Sequence, residues 1–340
     1  MPRRLLRGAF IGFGNVAAKG HLSGWQSRND VEIVAAADTA AARREDFLAA
    51  CPDGRWYDTV SDLLAGETLD FVDICTPPGN HAALIEQALN ADLHILCEKP
   101  LVTRMEDALA VDAAAARAGR VVHTVHNWLE APICRKISAL IAEGAIGALR
   151  SIRWRTLRTA PAAAAAHDRG ANWRVDPAMA GGGILFDHGW HALYCIVRWG
   201  GAPSGIAATL ETRRFHEWPL EDTATVALDL VSGTSEIYLT WAGEERANFI
   251  DIEGEHGHIS VEGDHVVLQT KLRKHHWSCP PSLSEGSHHQ DWFIAVAEDF
   301  RVAAAAGGKG NLEEAVLCAQ LIDLAQRSSA AGGIRLAIGD

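Results

Sequence analysis

A short apolar run, Leu5 to Ile11, breaks at Gly12-Phe13-Gly14-Asn15-Val16-Ala17, and this junction constrains the fold more than any other segment. The run reads as a buried strand. The six residues after it have the G-x-G-x-x-A spacing of a dinucleotide-binding turn. Gly12 permits the tight turn, Gly14 lets a pyrophosphate approach the main chain, and Ala17 leaves room for close helix–strand packing. The helix that follows would aim its N-terminal amides and dipole at the phosphates. Alone, a glycine-rich turn is weak evidence. A second apolar run, Val31 to Ala37, supplies the context, because it ends in Asp38. That position, about twenty residues on, is where a carboxylate accepts hydrogen bonds from adenosine ribose hydroxyls. Asp38 is followed by Thr39, not by an arginine suited to a 2′-phosphate, so NAD is expected in preference to NADP; Arg43 and Arg44, in the presumed next helix, temper that preference.

The alternation continues. Phe71 to Cys75 reads as a strand ending in Thr76-Pro77-Pro78-Gly79-Asn80-His81, a rigid turn expected to be non-helical. Ala82 to Asn90 reads as a helix and His94 to Cys97 as a strand ending in Glu98-Lys99-Pro100. Met105 to Arg117 reads as an alanine-rich helix, and Val121 to Val125 as a strand before His126-Asn127-Trp128. Alternating strands and helices argue for an α/β fold with a doubly wound parallel sheet. Ligands of such sheets gather at the carboxyl ends of the strands, where Gly12, Asp38, Thr76, Glu98-Lys99 and Asn127 all fall.

With 340 residues the chain can hold two domains. We place a nucleotide-binding domain at 1–125 and a substrate and oligomerisation domain at 126–340. In the second, Leu149–Leu157, Ile206–Thr212, Thr223–Leu230, Ser235–Trp241, Asn248–Glu253 and His258–Val261 read as strands, many alternating with period two. Successive strands on short turns imply an α+β domain with a large, mostly antiparallel open sheet. Helices at Ile133–Glu143, Phe186–Trp199, Trp292–Ala306 and Leu312–Ser328 should cover one face. Ala160–Ala166 reads as a mobile loop, and Ala303–Gly308 as a helix running into its glycine stop.

The formal charge of −12 argues against a nucleic-acid partner. The basic start Arg3, Arg4, Arg7 is too short for a binding arm. No run approaches the length of a membrane span and no secretory leader pattern precedes the first strand. The 7 cysteines are scattered, with no C-x-x-C pair, and read as reduced thiols. The expectation is a cytoplasmic protein without a membrane partner.

Gly181-Gly182-Gly183 leads into a helical run carrying Asp187 and His191, four residues apart and so expected on one face, one turn apart. With the fingerprint Gly12–Ala17, the Thr76-Pro77-Pro78 turn with His81, and Cys97-Glu98-Lys99-Pro100, these segments resemble the glucose–fructose oxidoreductase/inositol dehydrogenase (Gfo/Idh/MocA) oxidoreductases, over nearly the whole chain. The resemblance implies a Rossmann domain followed by an α/β domain whose open sheet builds subunit contacts, hence a homodimer or homotetramer. It also implies nicotinamide-dependent oxidation or reduction at a secondary alcohol or carbonyl of a sugar, sugar acid or cyclitol. Lys99 would be the catalytic lysine, with Asp187 and His191 as partners; Gly12, Phe13, Gly14, Asn15, Val16, Asp38, Thr76, Pro77, Pro78, His81, Glu98, Lys99 and Asn127 would bind the cofactor.

The chemistry asks for those residue types. As a hydride leaves the carbinol carbon, the hydroxyl proton must leave too. His191, with an ordinary pKa of ~6.5, suits a general base, and Lys99 suits an alkoxide-stabilising donor; the reverse assignment, Lys99 as base and His191 as substrate ligand, is equally open. Asp187 would orient the substrate. Two other kinds of relative stand as alternatives: an NAD-retaining, glycosidase-like enzyme and a non-catalytic nucleotide sensor. Where relatives carry an arginine-rich segment after Asn127, this chain has Trp128-Leu129-Glu130, and Trp128 is a candidate substrate contact, as are Trp173 and Arg174. Trp190 is expected to pack in its helix. The pairs His275-His276 and His288-His289 and the group Asp187, His188, His191 lack zinc-site spacing, so no metal is expected. Gly307-Gly308-Lys309-Gly310 lacks the P-loop pattern and reads as a loop.

Overall fold

The computed structural model describes residues 5–163, 172–286 and 288–339. The chain divides into two compact units. One runs to Asn127 and takes in segments ending at Trp173 and Val316; the other holds Trp128–Ala163, Arg174–Gly286 and the chain from Leu317 onward. The expected loop at Ala160–Ala166 lies partly outside the described residues, as do Arg3 and Arg4.

In the first unit the apolar runs become β1 (Leu6–Ile11), β2 (Val31–Ala37), β4 (Phe71–Ile74), β5 (His94–Cys97) and β6 (Val122–Thr124), with an unanticipated edge strand, β3 (Arg55–Tyr57). All pair in parallel, in the order β3-β2-β1-β4-β5-β6. Apolar side chains fill both faces of the central strands, because crossover helices cover a parallel sheet on both sides. The strand order reverses between β1 and β4, the place where a doubly wound sheet opens a crevice at its carboxyl edge. Gly12 and Thr76 follow those two strands.

One helix is not where it was expected. Gln290–Ala306, read as cover for the second sheet, packs in the first unit. Its Phe293, Val296 and Phe300 share one face and join Phe10, Trp25 and Phe71 in a single core. Trp25 lies 4.9 Å from Phe71 and 5.5 Å from Phe293, and Phe71 lies 5.4 Å from Phe300. Arg28–Glu298 (2.8 Å) and Arg301–Asp30 (3.4 Å) fasten the same helix from outside. Gly307, at φ +64, ends it as anticipated.

His123 on β6 titrates against this core. Burial first, and neighbouring His126 second, push its pKa down to about 4. The unfolded chain therefore takes up the proton earlier, and stability falls as pH drops from ~6.5 towards 4. Denaturant melts should lose about 2 kcal/mol more on going from about pH 7 to pH 5 in the wild type than in His123→Gln. Equal losses would remove His123 as the acid-labile group.

The second unit contains β7 (Leu149–Leu157), β8 (Pro203–Glu211), β9 (Thr223–Leu230), β10 (Gly233–Thr240), β11 (Ala247–Gly254), β12 (Gly257–Glu262), β13 (His265–Thr270), β14 (Lys274–Ser278) and β15 (Leu336–Ala337). They form one sheet in the order β14-β13-β12-β11-β7-β10-β9-β8-β15. Every pairing is antiparallel except β7 with β10. The period-two pattern holds: Ile152, Trp154 and Thr156 are buried, whereas Arg153 and Arg155 between them are exposed. Helix Trp190–Gly200 packs on the buried face, with Trp199 stacked 6.1 Å from Trp154. The sequence pattern did not distinguish β13 to β15, and His275 and His276 lie on β14.

Candidate functional site

The nucleotide side is built from glycine geometry. Gly12 has φ +86, and a Cβ there would lie 2.8 Å from Thr76 Cγ2 and 3.0 Å from the Cys75 carbonyl carbon. Gly14 is the opposite case, since its Cβ would meet nothing within 4 Å, which leaves the crest of the turn open to a pyrophosphate. Ala17 is fully buried and Phe13 points into the core, 5.5 Å from Phe10 and 5.1 Å from Phe47. Only the main chain of Phe13 is therefore available, and it donates to Asp38 Oδ2 at 2.7 Å. Asp38 Oδ1 accepts from Ala40 N–H at 2.7 Å. The carboxylate is thus fixed, with a second lone pair on each oxygen left for ribose hydroxyls. Asn15 Oδ1 accepts from Arg43 Nη2 at 2.7 Å, and Arg43, 7 % exposed, sits on a 3-10 turn rather than on the expected helix. Val16 leads into Ala17–His21, a π-turn continued by Leu22–Gln26, so the helix after the fingerprint does not begin as regular α.

The turn after β4 also departs from expectation. Pro78 is the first residue of a 3-10 turn, Pro78–Asn80, which feeds helix His81–Asn90, whereas Pro77 is extended. The prolines do not bar helix here, because proline suits a first helical position, where its missing N–H costs nothing. His81 is wholly buried, with Nδ1 2.9 Å from the Pro100 carbonyl and Nε2 2.8 Å from that of Thr76. It joins the Thr76 turn to the Lys99-Pro100 loop, whose peptide is cis. Burial pushes its pKa below the ordinary histidine value. Thr76 Oγ1 and Asn127 Oδ1, after β4 and β6, are buried polar atoms without a hydrogen-bond partner among the described residues. The open crest at Gly14, the fixed Asp38 and these two atoms together fit a dinucleotide.

Glu98 folds back on its own loop, and Oε2 accepts from the Lys99 main-chain N–H at 2.9 Å. Its Oε1 lies 3.1 Å from His21 Nε2, and His21 Nδ1 lies 3.0 Å from Asp73 Oδ2. Burial pushes the Glu98 pKa upward, but the His21 hydrogen bond and the His21 and Lys99 charges hold it below the ordinary value. His21 and Asp73 escaped sequence analysis. An acid inside the apolar run Phe71–Ile74 was the available signal, since a buried carboxylate needs a partner.

In the second unit, Gly182 and Gly183 pack closely against protein, Phe186 and Glu221 respectively. A Cβ on Gly183 would lie 1.8 Å from the Glu221 carbonyl oxygen. Glu221 Oε1 accepts from the N–H groups of Gly183 (2.9 Å) and Leu185 (3.1 Å). The next five residues, Leu185–Gly189, form a π-turn, and α-helix begins only at Trp190. Asp187 and His191 are therefore not one regular α-turn apart, because a π-turn widens the spiral by a residue.

Asp187 Oδ2 lies 3.1 Å from His188 Nδ1, and His188 Nε2 lies 3.1 Å from Arg158 Nε. Arg158 is 1 % exposed. Its Nη1 donates to the carbonyls of Leu157 (2.7 Å) and Ala247 (3.0 Å), and its Nη2 to Asn248 Oδ1 (2.8 Å). Burial, then Arg246, pull its pKa down to about 9, with Asp187 opposing. His191 Nδ1 lies 2.6 Å from the Tyr194 hydroxyl, which accepts from Trp128 N–H at 3.0 Å. The His191 ring stacks on Trp128 at 4.2 Å and 10°. Trp128 is only 7 % exposed, so it backs the imidazole, and Trp190 is fully buried, as anticipated. Trp173 and Arg174 share a partly exposed 3-10 turn, Trp173–Val175.

Comparison with known proteins places this architecture. The family model described as oxidoreductase family, NAD-binding Rossmann fold, matches residues 6–126, and the GFO/IDH/MocA C-terminal domain matches 134–260. The chain is 34% identical over 141 residues to D-apiose dehydrogenase of Paraburkholderia graminis, an alignment spanning 42% of this chain and 37% of that protein. It is 27% identical over 246 residues to D-glucoside 3-dehydrogenase of Escherichia coli, spanning 68% and 67%. A crystal structure of an oxidoreductase from Agrobacterium radiobacter, in complex with NAD+, L-tartaric acid and magnesium, shares the fold with a TM-score of 0.86 at 23% identity, covering 98% of each chain. Both halves of the chain belong to the Gfo/Idh/MocA family of oxidoreductases, whose first domain is an NAD-binding Rossmann fold.

Proposed function

We propose that this protein is an NAD-dependent dehydrogenase acting on a secondary alcohol or carbonyl of a sugar, sugar acid or cyclitol. One observation carries the reading: Gly12, Asp38, Thr76, Lys99 and Asn127 follow the carboxyl ends of β1, β2, β4, β5 and β6, along one edge of one sheet. Relatives named for D-apiose and D-glucosides support a polyhydroxylated substrate. When bound, the nicotinamide supplies the hydride acceptor or donor. Gly12 and Gly14 give the pyrophosphate its approach, Asp38 takes the ribose hydroxyls, and His81 shapes the turn from behind. Lys99 and His191 share proton transfer and alkoxide stabilisation, and Asp187 orients a substrate hydroxyl. Trp128 and Tyr194 hold the His191 ring, and Trp173 and Arg174 are further substrate contacts. The first 125 residues serve the cofactor and the remainder serves substrate and subunit contacts, through the polar open face of the second sheet, in a homodimer or homotetramer. Scattered cysteines with no C-x-x-C pair suit the cytoplasm.

The fixed Asp38 carboxylate repels a 2′-phosphate. Calorimetric titration should find NADH bound at least about tenfold more tightly than NADPH, a difference of about 1.4 kcal/mol. Asp38→Ser should narrow the gap. Tighter binding of NADPH by the wild type would show that Asp38 is misassigned.

A further inference from the structure

The nucleotide unit buries a polar cluster that the chemistry above does not use. His21 (3 % exposed) lies between two carboxylates. Its Nδ1 is 3.1 and 3.0 Å from the two Asp73 oxygens, and its Nε2 is 3.1 Å from Glu98 Oε1. Trp25 Nε1–H donates to Asp73 Oδ2 at 2.7 Å, Cys75 Sγ lies 3.3 Å from His21 Nδ1, and Phe293 stacks on the imidazole at 3.9 Å and 13°. A neutral imidazole has one N–H and would set a lone pair against one of these carboxylates. Protons on both nitrogens satisfy both. Burial pushes the His21 pKa down, but Asp73 and Cys75 more than offset this and raise it well above 6.5. By type, His21, Asp73 and Cys75 could also be metal ligands, but hydrogen bonds from Trp25 and His21 already occupy Asp73.

We propose that His21 is a positioning residue for Lys99: its charge, held between Asp73 and Glu98, fixes the carboxylate that grips the Lys99 main chain and offsets the negative charge beside the Lys99 side chain. The inference rests on the reading of Lys99 as a proton-transfer group. Among the described residues, the titratable groups that interact with the cluster are Asp73 on β4 and Cys75 after it, Cys97, Glu98 and Lys99 at the end of β5, and His81 from helix His81–Asn90; Trp25 and Phe293 carry no charge. Asp73 and Glu98 contribute two negative charges, and His21 and Lys99 the two positive ones. Removing the His21 charge leaves two carboxylates facing one cation, so Lys99 holds its proton to higher pH. Removing the Glu98 charge does the reverse. A packing role alone would not give opposite signs.

The test is an NMR titration of Lys99 by isotope-labelled methyl-lysine signals, in NAD-saturated protein, with the Lys99 resonance identified by its loss in Lys99→Arg. His21→Gln should raise the midpoint by about one unit or more, a tenfold loss of free amine at a given pH. Glu98→Gln should lower it, and His21→Gln with Glu98→Gln should fall between. Unchanged midpoints, or shifts of the same sign, would overturn the proposal. If His21→Gln does not fold, Glu98→Gln decides alone, and a midpoint that stays or rises counts against it. Turnover by Lys99→Ala separates the two readings. If turnover is lost while midpoints are unmoved, His21 is rejected and Lys99 stands; if turnover is kept, the Lys99 reading fails, and the His21 role with it.

Discussion

Lys99→Ala should lower kcat by about 10²–10⁴-fold, the range a positioned proton-transfer group supplies, while NADH still binds. The prediction separates chemistry from scaffolding because the loop does not depend on the lysine side chain. Glu98 Oε2 grips the Lys99 main-chain N–H, and His81 contacts the Pro100 carbonyl, so alanine leaves both contacts in place. Single-turnover kinetics with saturating NAD would measure the step directly. A comparable fall in NADH affinity would mean that Lys99 binds cofactor rather than moving a proton. Turnover near that of the wild type would remove it from the mechanism.

The largest stability effect should come from Arg158→Leu. Arg158 is almost wholly buried, and its guanidinium serves the Leu157 and Ala247 carbonyls, the Asn248 amide oxygen and the His188 ring. Leucine removes those donors at once and leaves the acceptors buried and unpaired. Buried acceptors left without their donor cost about 1–3 kcal/mol each, so the loss should reach about 3–5 kcal/mol in all, read as a lower denaturation midpoint at unchanged slope. Arg158→Lys keeps the charge but not the planar fork, and should fall between. A change below about 1 kcal/mol, as for an ordinary surface substitution, would show that the network is not structural. Because His188 also lies beside Asp187, a folded Arg158→Lys protein should lose turnover as well as stability.

Particular residues show how much of this was legible in the sequence. Gly12, Gly14 and Asp38 follow from strand runs ending at the correct intervals, because the parallel sheet forces its ligands to the strand ends. Arg158 was legible in principle: it continues the buried parity Ile152, Trp154, Thr156, whereas Arg153 and Arg155 lie on the open face. A cation on the apolar parity demands partners. The position of helix Gln290–Ala306 was not legible, since its aromatic stripe suits either sheet and only the tertiary contact with Trp25 and Phe71 decides. The π-turns at Ala17–His21 and Leu185–Gly189 were hidden for a similar reason. Period-3.6 patterning tolerates one extra residue per turn, and the cause lies in contacts such as Gly183 against Glu221. The glycine run therefore bends the chain around Glu221.

Activity as a nicotinamide dehydrogenase of a polyhydroxylated small molecule is read from NADH absorbance as the purified protein meets NAD and a panel of aldoses, glucosides, aldonic acids and inositols. Stoichiometric NADH accumulation is expected with at least one of them, slowed about 10²–10⁴-fold in Lys99→Ala. Release of an aglycone from a glucoside without net NADH, or bound NAD with no turnover across the panel, would contradict it.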